Sequence, residues 1–190
     1  MSDHDPLLCG WVDDPEAVAE SCERMGSAAY LASAKPQLAG TWERMKDRGC
    51  AGIFMWMAEE VVSGARQPSF HQTGPTCVSM GTVRAIQDSY YWNIGYAAEI
   101  GVAKQLCTEM TYGGSRNEVG RGRLGKGGGS LGAWGAEWVH DYGLVERGVH
   151  GKYDLTKLRD DLAVEWGKPG VGVPAELEAL GKSHLVGACH

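Results

Sequence analysis

Phe70-His71-Gln72-Thr73-Gly74-Pro75-Thr76-Cys77-Val78-Ser79-Met80-Gly81 is the stretch on which the reading of this chain turns. Gly74-Pro75 interrupts regular structure. After Cys77 the apolar residues recur at helical spacing: Met80, Val83, Ile86 or Gln87, Tyr90 and Ile94 share one face, and Val78, Ala85 and Ala97 widen it. A helix is therefore expected to open at about Cys77. A thiol is a weak nucleophile until it ionises, and the unpaired N–H groups and positive dipole end of a first helical turn favour the thiolate. Gln72, held by the Gly-Pro turn, is placed to aim its amide N–H at the same point. With the Cys77 backbone N–H it would form an oxyanion hole. Spacing alone leaves a plainer alternative open, a buried cysteine at a helix start and an ordinary loop glutamine.

Towards the N-terminus, Asp14-Pro15-Glu16 reads as a helix start, with an Asp cap, Pro in the first turn and an acid at the positive dipole end. Val18, Cys22, Met25 and Ala29 follow at helical spacing. Ala34-Lys35-Pro36 breaks the pattern, and a second helical stretch is expected over 41–62, its run Ile53-Phe54-Met55-Trp56-Met57 forming core. Residues 64–75 read as loop.

Towards the C-terminus, the glycine density of 112–132 predicts a loop. Leu131, Trp134, Trp138 and Tyr142 then mark a helix that Gly143 ends. Residues 145–155 read as extended and 156–166 as helical. Lys168-Pro169-Gly170 is a turn, and 174–180 a short final helix.

The order of these parts resembles the papain-like cysteine peptidase family. The match runs from Gln72 and Cys77 through Gly127-Gly128-Gly129-Ser130-Leu131 to Trp134-Gly135-Ala136-Glu137-Trp138-Val139-His140-Asp141-Tyr142-Gly143-Leu144. The run Val149-His150-Gly151-Lys152-Tyr153-Asp154 closes it. The resemblance spans about residues 70–154 and rests on order and spacing more than on identity. It implies an α+β family fold of which this chain, mainly α, is the nucleophile-bearing left-hand domain with a helical N-terminal extension. The implied organisation is an extension over 1–69, the papain-like helical domain over 70–166, and a segment over 167–190 leading towards a β-rich half absent from this chain. By the same resemblance Cys77 is the nucleophile, Gln72 the oxyanion donor, and Gly128 and Gly129 the backbone that pairs with an extended peptide substrate. Tyr112-Gly113-Gly114-Ser115-Arg116 also resembles a segment of bacterial and phage proteins of this general pattern.

The departures are specific. Thr76-Cys77-Val78 lacks the C-G-[SA]-C-[WY] signature, and the partner His is expected roughly 130–150 residues after the nucleophile, beyond His190. Of the local histidines, His71 lies on the Gln72 side of the loop, His140 and His150 read as boundary or polar-contact residues, and His184 and His190 lie near the C-terminus. The general base is thus expected outside this chain. The rival reading is a non-catalytic structural or assembly protein, such as a phage virion component, that reuses the half-fold. A bond-forming enzyme would use the same thiol.

Composition bounds the other classes. A net charge of −6 argues against nucleic acid as the main partner. The basic stretch 116–126 reads as a solvated loop, and no membrane span or signal peptide is evident. The expected location is cytoplasmic or virion-associated. Six dispersed cysteines without a C-x-x-C pair argue for free thiols and against zinc, so no metal or cofactor is expected. Gly120-Arg121-Gly122-Arg123-Leu124-Gly125 matches G-x-G-x-x-G without the strand that motif needs. Trp134 and Trp138 read as core. The adjacent pairs Glu59-Glu60 and Asp160-Asp161 point to different helix sides and read as solvated charges. The expected partner is a peptide or protein substrate, or a chain that covers the exposed half-cleft within a larger assembly.

Overall fold

The computed structural model describes residues 14–25, 56–65, 71–97 and 104–183. Over these the protein is mainly helical, with one small two-stranded sheet. Helices α1 (Pro15–Arg24), α2 (Trp56–Ser63), α3 (Cys77–Ala97), α4 (Glu109–Gly114) and α5 (Gly132–Tyr142) precede strands β1 (Val149–His150) and β2 (Tyr153–Asp154). Helices α6 (Asp160–Trp166) and α7 (Ala175–Lys182) follow. Residue 29, the break at 34–36, the start of the second stretch and residues 53–55 of its apolar run lie outside the described residues.

Helix α1 starts as its cap residues dictate: Asp14 Oδ1 accepts from the Ala17 N–H at 3.0 Å, with Pro15 in the first turn. Ala17 and Ser21 are its buried residues, one position round from the Val18–Cys22 stripe that spacing suggested. Two small side chains let α1 approach α5 closely. At its far end Arg24 forks onto Glu137 of α5, at 2.6 and 2.9 Å.

Helix α3 buries Ser79, Val83, Gln87 and Tyr91, four residues at i, i+4 steps, while Ala85 is exposed and does not widen the stripe. Gln87, with Arg84 three residues before it, answers Glu59 of α2, which is fully buried. Its carboxylate takes a fork from Arg84 and a 3.3 Å bond from Gln87 Nε2. Glu59 is therefore not a solvated charge, whereas Glu60 beside it is exposed. A buried carboxylate persists only when it is paired and hydrogen-bonded, and Glu59 is both.

The stretch 112–132 is not all loop. Helix α4 runs to Gly114 and continues as a π-helical turn over Ser115–Val119. The glycines here serve contact, not flexibility. A Cβ on Gly113 would lie 2.7 Å from Trp166 Cβ, and one on Gly120 would lie 2.5 Å from Trp134 Cζ3. Only beyond Gly120 does the chain turn irregular, up to Ser130. Helix α5 follows, and Gly143, at φ 73°, ends it as expected.

Strands β1 and β2 pair antiparallel, Val149 with Asp154 and His150 with Tyr153, around Gly151 at φ 59°. The hydrophobic core gathers Trp134, Trp138, Met110, Leu131, Leu155 and Leu177 with Val83 of α3 and Ala17 of α1. Each large apolar side chain withdrawn from water in this way is worth about 1.5–3 kcal/mol. Beneath it Glu109, fully buried, accepts from Arg147 Nη1 at 3.0 Å, the Arg159 N–H at 2.8 Å and the Thr108 N–H at 2.8 Å. Among the described residues, no helix is long and apolar enough to cross a membrane.

Candidate functional site

Cys77 is the first residue of α3, and its side chain is exposed. The first helical bond of α3 runs from the Met80 N–H to the Thr76 carbonyl at 3.1 Å, and Ser79 Oγ donates to the same oxygen at 2.8 Å. Thr76 is thus the residue on which the helix begins. Cys77 follows it in the turn whose N–H groups point out of the helix. Among the described residues, no side chain hydrogen-bonds the Cys77 thiol. Cys107 contrasts with it: fully buried, its Sγ faces the Glu146 carbonyl at 3.5 Å, and burial pushes its thiol up to about 12. Cys22 is half-buried, and Cys9, Cys50 and Cys189 lie outside the described residues.

Gln72 is exposed, and its Nε2 donates to the Gly74 carbonyl at 2.5 Å. That carbonyl also accepts from the Thr76 N–H at 2.8 Å. One of the two carboxamide N–H bonds is therefore engaged in shaping the turn before Cys77; a primary amide carries a second.

The turn is fastened to a distant helix. Asp160, first residue of α6, accepts through Oδ2 from the Thr73 N–H at 2.6 Å and the Thr73 hydroxyl at 2.9 Å, and through Oδ1 from the Thr76 hydroxyl at 2.8 Å. It is buried, so the reading of Asp160 as a solvated charge is corrected, while Asp161 is exposed and pairs with Arg159. The pairing of an outward and an inward carboxylate is what adjacent helical positions enforce. What the sequence could not reveal was which of the two faced in.

Gly128 and Gly129 sit in the irregular segment before α5, Gly128 half-buried and Gly129 buried at φ 84°. Arg116 organises this segment. Read from sequence as part of a solvated basic loop, it is buried, and its guanidinium is spent on backbone carbonyls. Nη2 donates to Gly125 at 3.0 Å and Gly127 at 2.5 Å, Nη1 to Gly129, and Nε to Gly167 at 2.8 Å. A planar fork with five donors suits several carbonyls at once, as a lysine would not. Asn117 extends the connection, its Nδ2 donating to the Trp166 carbonyl at 2.6 Å.

Tyr112 links the two regions. Burial raises its hydroxyl above the usual range, opposed by Arg116 and by a hydrogen bond from the Gly129 backbone, and Cys77 lies within electrostatic reach of it. Two histidines are engaged elsewhere: His140 is bound to Asp141 at 2.6 Å, and His150 Nε2 faces the Glu146 carbonyl at 2.8 Å. His71 is exposed, and His184 and His190 lie outside the described residues. Among the described residues, no group of three or more His, Cys, Asp or Glu could hold a metal ion.

No protein-family model, curated protein or solved structure matches this chain. The site stands on its own geometry.

Two of its residues, Asp160 and Arg116, escaped the sequence reading. The Tyr-Gly-Gly-Ser-Arg run carried a hint of the second, since a charge among packed glycines has only main-chain oxygens for partners.

Proposed function

We propose that this chain is the nucleophile-bearing, papain-like half of a thiol peptidase or amidase. Cys77 is its nucleophile, and the base comes from a histidine outside this chain. The observation that carries the reading is an exposed thiol on the first residue of a long helix.

In this reading the Cys77 thiolate attacks the carbonyl carbon of a peptide or amide. The oxygen, now negative, is held by the Cys77 N–H and by the second N–H of Gln72. The external imidazolium gives its proton to the leaving amine, and water then releases the acid and regenerates the thiol. Gly128 and Gly129 lie along the substrate backbone. The partner is the protein segment that supplies the histidine and covers the half-cleft, and the working location is cytoplasmic or within a virion.

The competing reading, a non-catalytic assembly component, draws on one observation: His140 and His150 are engaged elsewhere. The experiment that separates the two is covalent capture. A thiol-directed peptidase inhibitor should form one adduct at Cys77, with labelling lost in Cys77→Ala. An adduct that persists in Cys77→Ala, or no adduct on the wild-type protein joined with the segment that supplies the histidine, favours the assembly component.

A further inference from the structure

We propose that Asp160 is a positioning residue for Cys77; this rests on the reading of Cys77 as the reacting thiol. The buried carboxylate grips both ends of Thr73-Gly74-Pro75-Thr76. Oδ2 takes the Thr73 N–H and hydroxyl at 2.6 and 2.9 Å, and Oδ1 takes the Thr76 hydroxyl at 2.8 Å. One attachment would leave the turn able to swing about Gly74; two fix its rotation. Gly74 itself is seated on α6, where an added Cβ would meet Val164 Cγ2 at 3.1 Å.

Thr76 is the junction through which this constraint passes. Its hydroxyl is held by α6, while its carbonyl accepts the opening bonds of α3 from Met80 and Ser79. Cys77 is the next residue, and its side chain is exposed. The orientation of the Cα–Cβ bond of Cys77 is therefore set by the backbone at Thr76, and that backbone by Asp160. A reacting group displaced by even an ångström loses much of the advantage of a fixed geometry.

The test measures the second-order rate of alkylation by iodoacetamide at the Cys77 peptide of the full chain, beside the melting temperature. Asp160→Asn keeps the shape but turns one acceptor oxygen into a donor facing the Thr73 N–H or the Thr76 hydroxyl. It should slow alkylation about tenfold. Thr76→Val removes only the hydroxyl and should give a similar loss, while Thr76→Ser restores the rate to within about twofold of wild type. Thr73→Val, on the exposed side of the turn, gives a smaller loss in the same direction and carries the test if the other variants do not fold. Variants that melt lower yet react at the wild-type rate, or faster, overturn the positioning role and leave the nucleophile reading intact. A wild-type Cys77 that reacts no faster than a free thiol overturns both.

Discussion

Gly114 lies so close to Trp138 that a Cβ built on it would stand 2.0 Å from the indole Cε3. The tryptophan has no open side to retreat to: it is fully buried, and Tyr142 stacks on it at 4.2 Å between centroids and within 6° of parallel. Gly114→Ala should therefore destabilise the protein by about 3 kcal/mol or more, at the upper end of what overpacking costs. Urea denaturation followed by tryptophan fluorescence measures it.

The Glu109–Arg147 pair should be equally sensitive, for an electrostatic reason. Glu109 is fully buried and Arg147 nearly so. Arg147→Met would leave a carboxylate in the core with only main-chain N–H groups and the Thr108 hydroxyl to hold it. A loss of about 3–5 kcal/mol is expected. The double variant Arg147→Met/Glu109→Gln should recover part of that loss, and no recovery would mean that the charge is not the cause.

Arg116→Lys tests the glycine-rich rim. An ammonium has three donors on a flexible stem and cannot span the carbonyls of residues 125, 127, 129 and 167. Stability should fall by about 2–4 kcal/mol. Tryptic cleavage after Arg121, Arg123 and Lys126 should become faster than elsewhere in the chain. Uniform acceleration at all sites would show that the residue holds the whole core, not the rim.

A pH dependence is expected from Glu118. Burial pushes its carboxyl up to about 6 from 4.5, and the nearby Glu178 acts in the same direction. The folded state thus holds this proton more tightly than the unfolded chain. The contribution is complete below about pH 4.5 and is lost as pH rises through 6. Glu118→Gln keeps the acceptor for the Val173 N–H, which sits at 2.9 Å. It should flatten the slope between these values and add about 1 kcal/mol at pH 7, allowing for solvent screening of a half-exposed group. Denaturation midpoints at pH 5 and pH 7 decide it.

Local signals read well where the neighbouring residues alone determine the outcome. Asp14-Pro15 starts α1, Gly143 ends α5, and α3 opens at Cys77, because caps and turns act within a few residues. The stretch from 112 reads as loop in the sequence and is helical in the structure, because glycine is ambiguous in a sequence. Gly113 and Gly114 are there to admit Trp166 and Trp138, residues far along the chain. The same holds for charges. Glu59 and Asp160 face inward because Arg84 and Thr76 await them, and no local pattern names such partners. Of the candidate site, Cys77 at the helix start was legible. The anchoring of its loop by Asp160 and of its rim by Arg116 was not, since both depend on which helix packs beside which.

Helix α6 has a bond of interest at each end. Its first residue, Asp160, holds the turn before Cys77, while the carbonyls of Trp166 and Gly167 at its close receive Asn117 and Arg116, which carry the glycine-rich rim. Seven helical residues make a rod of about 10 Å. Such a rod works as a caliper: if α6 shifts as a unit, sulfur and rim travel together and the gap between them keeps its width.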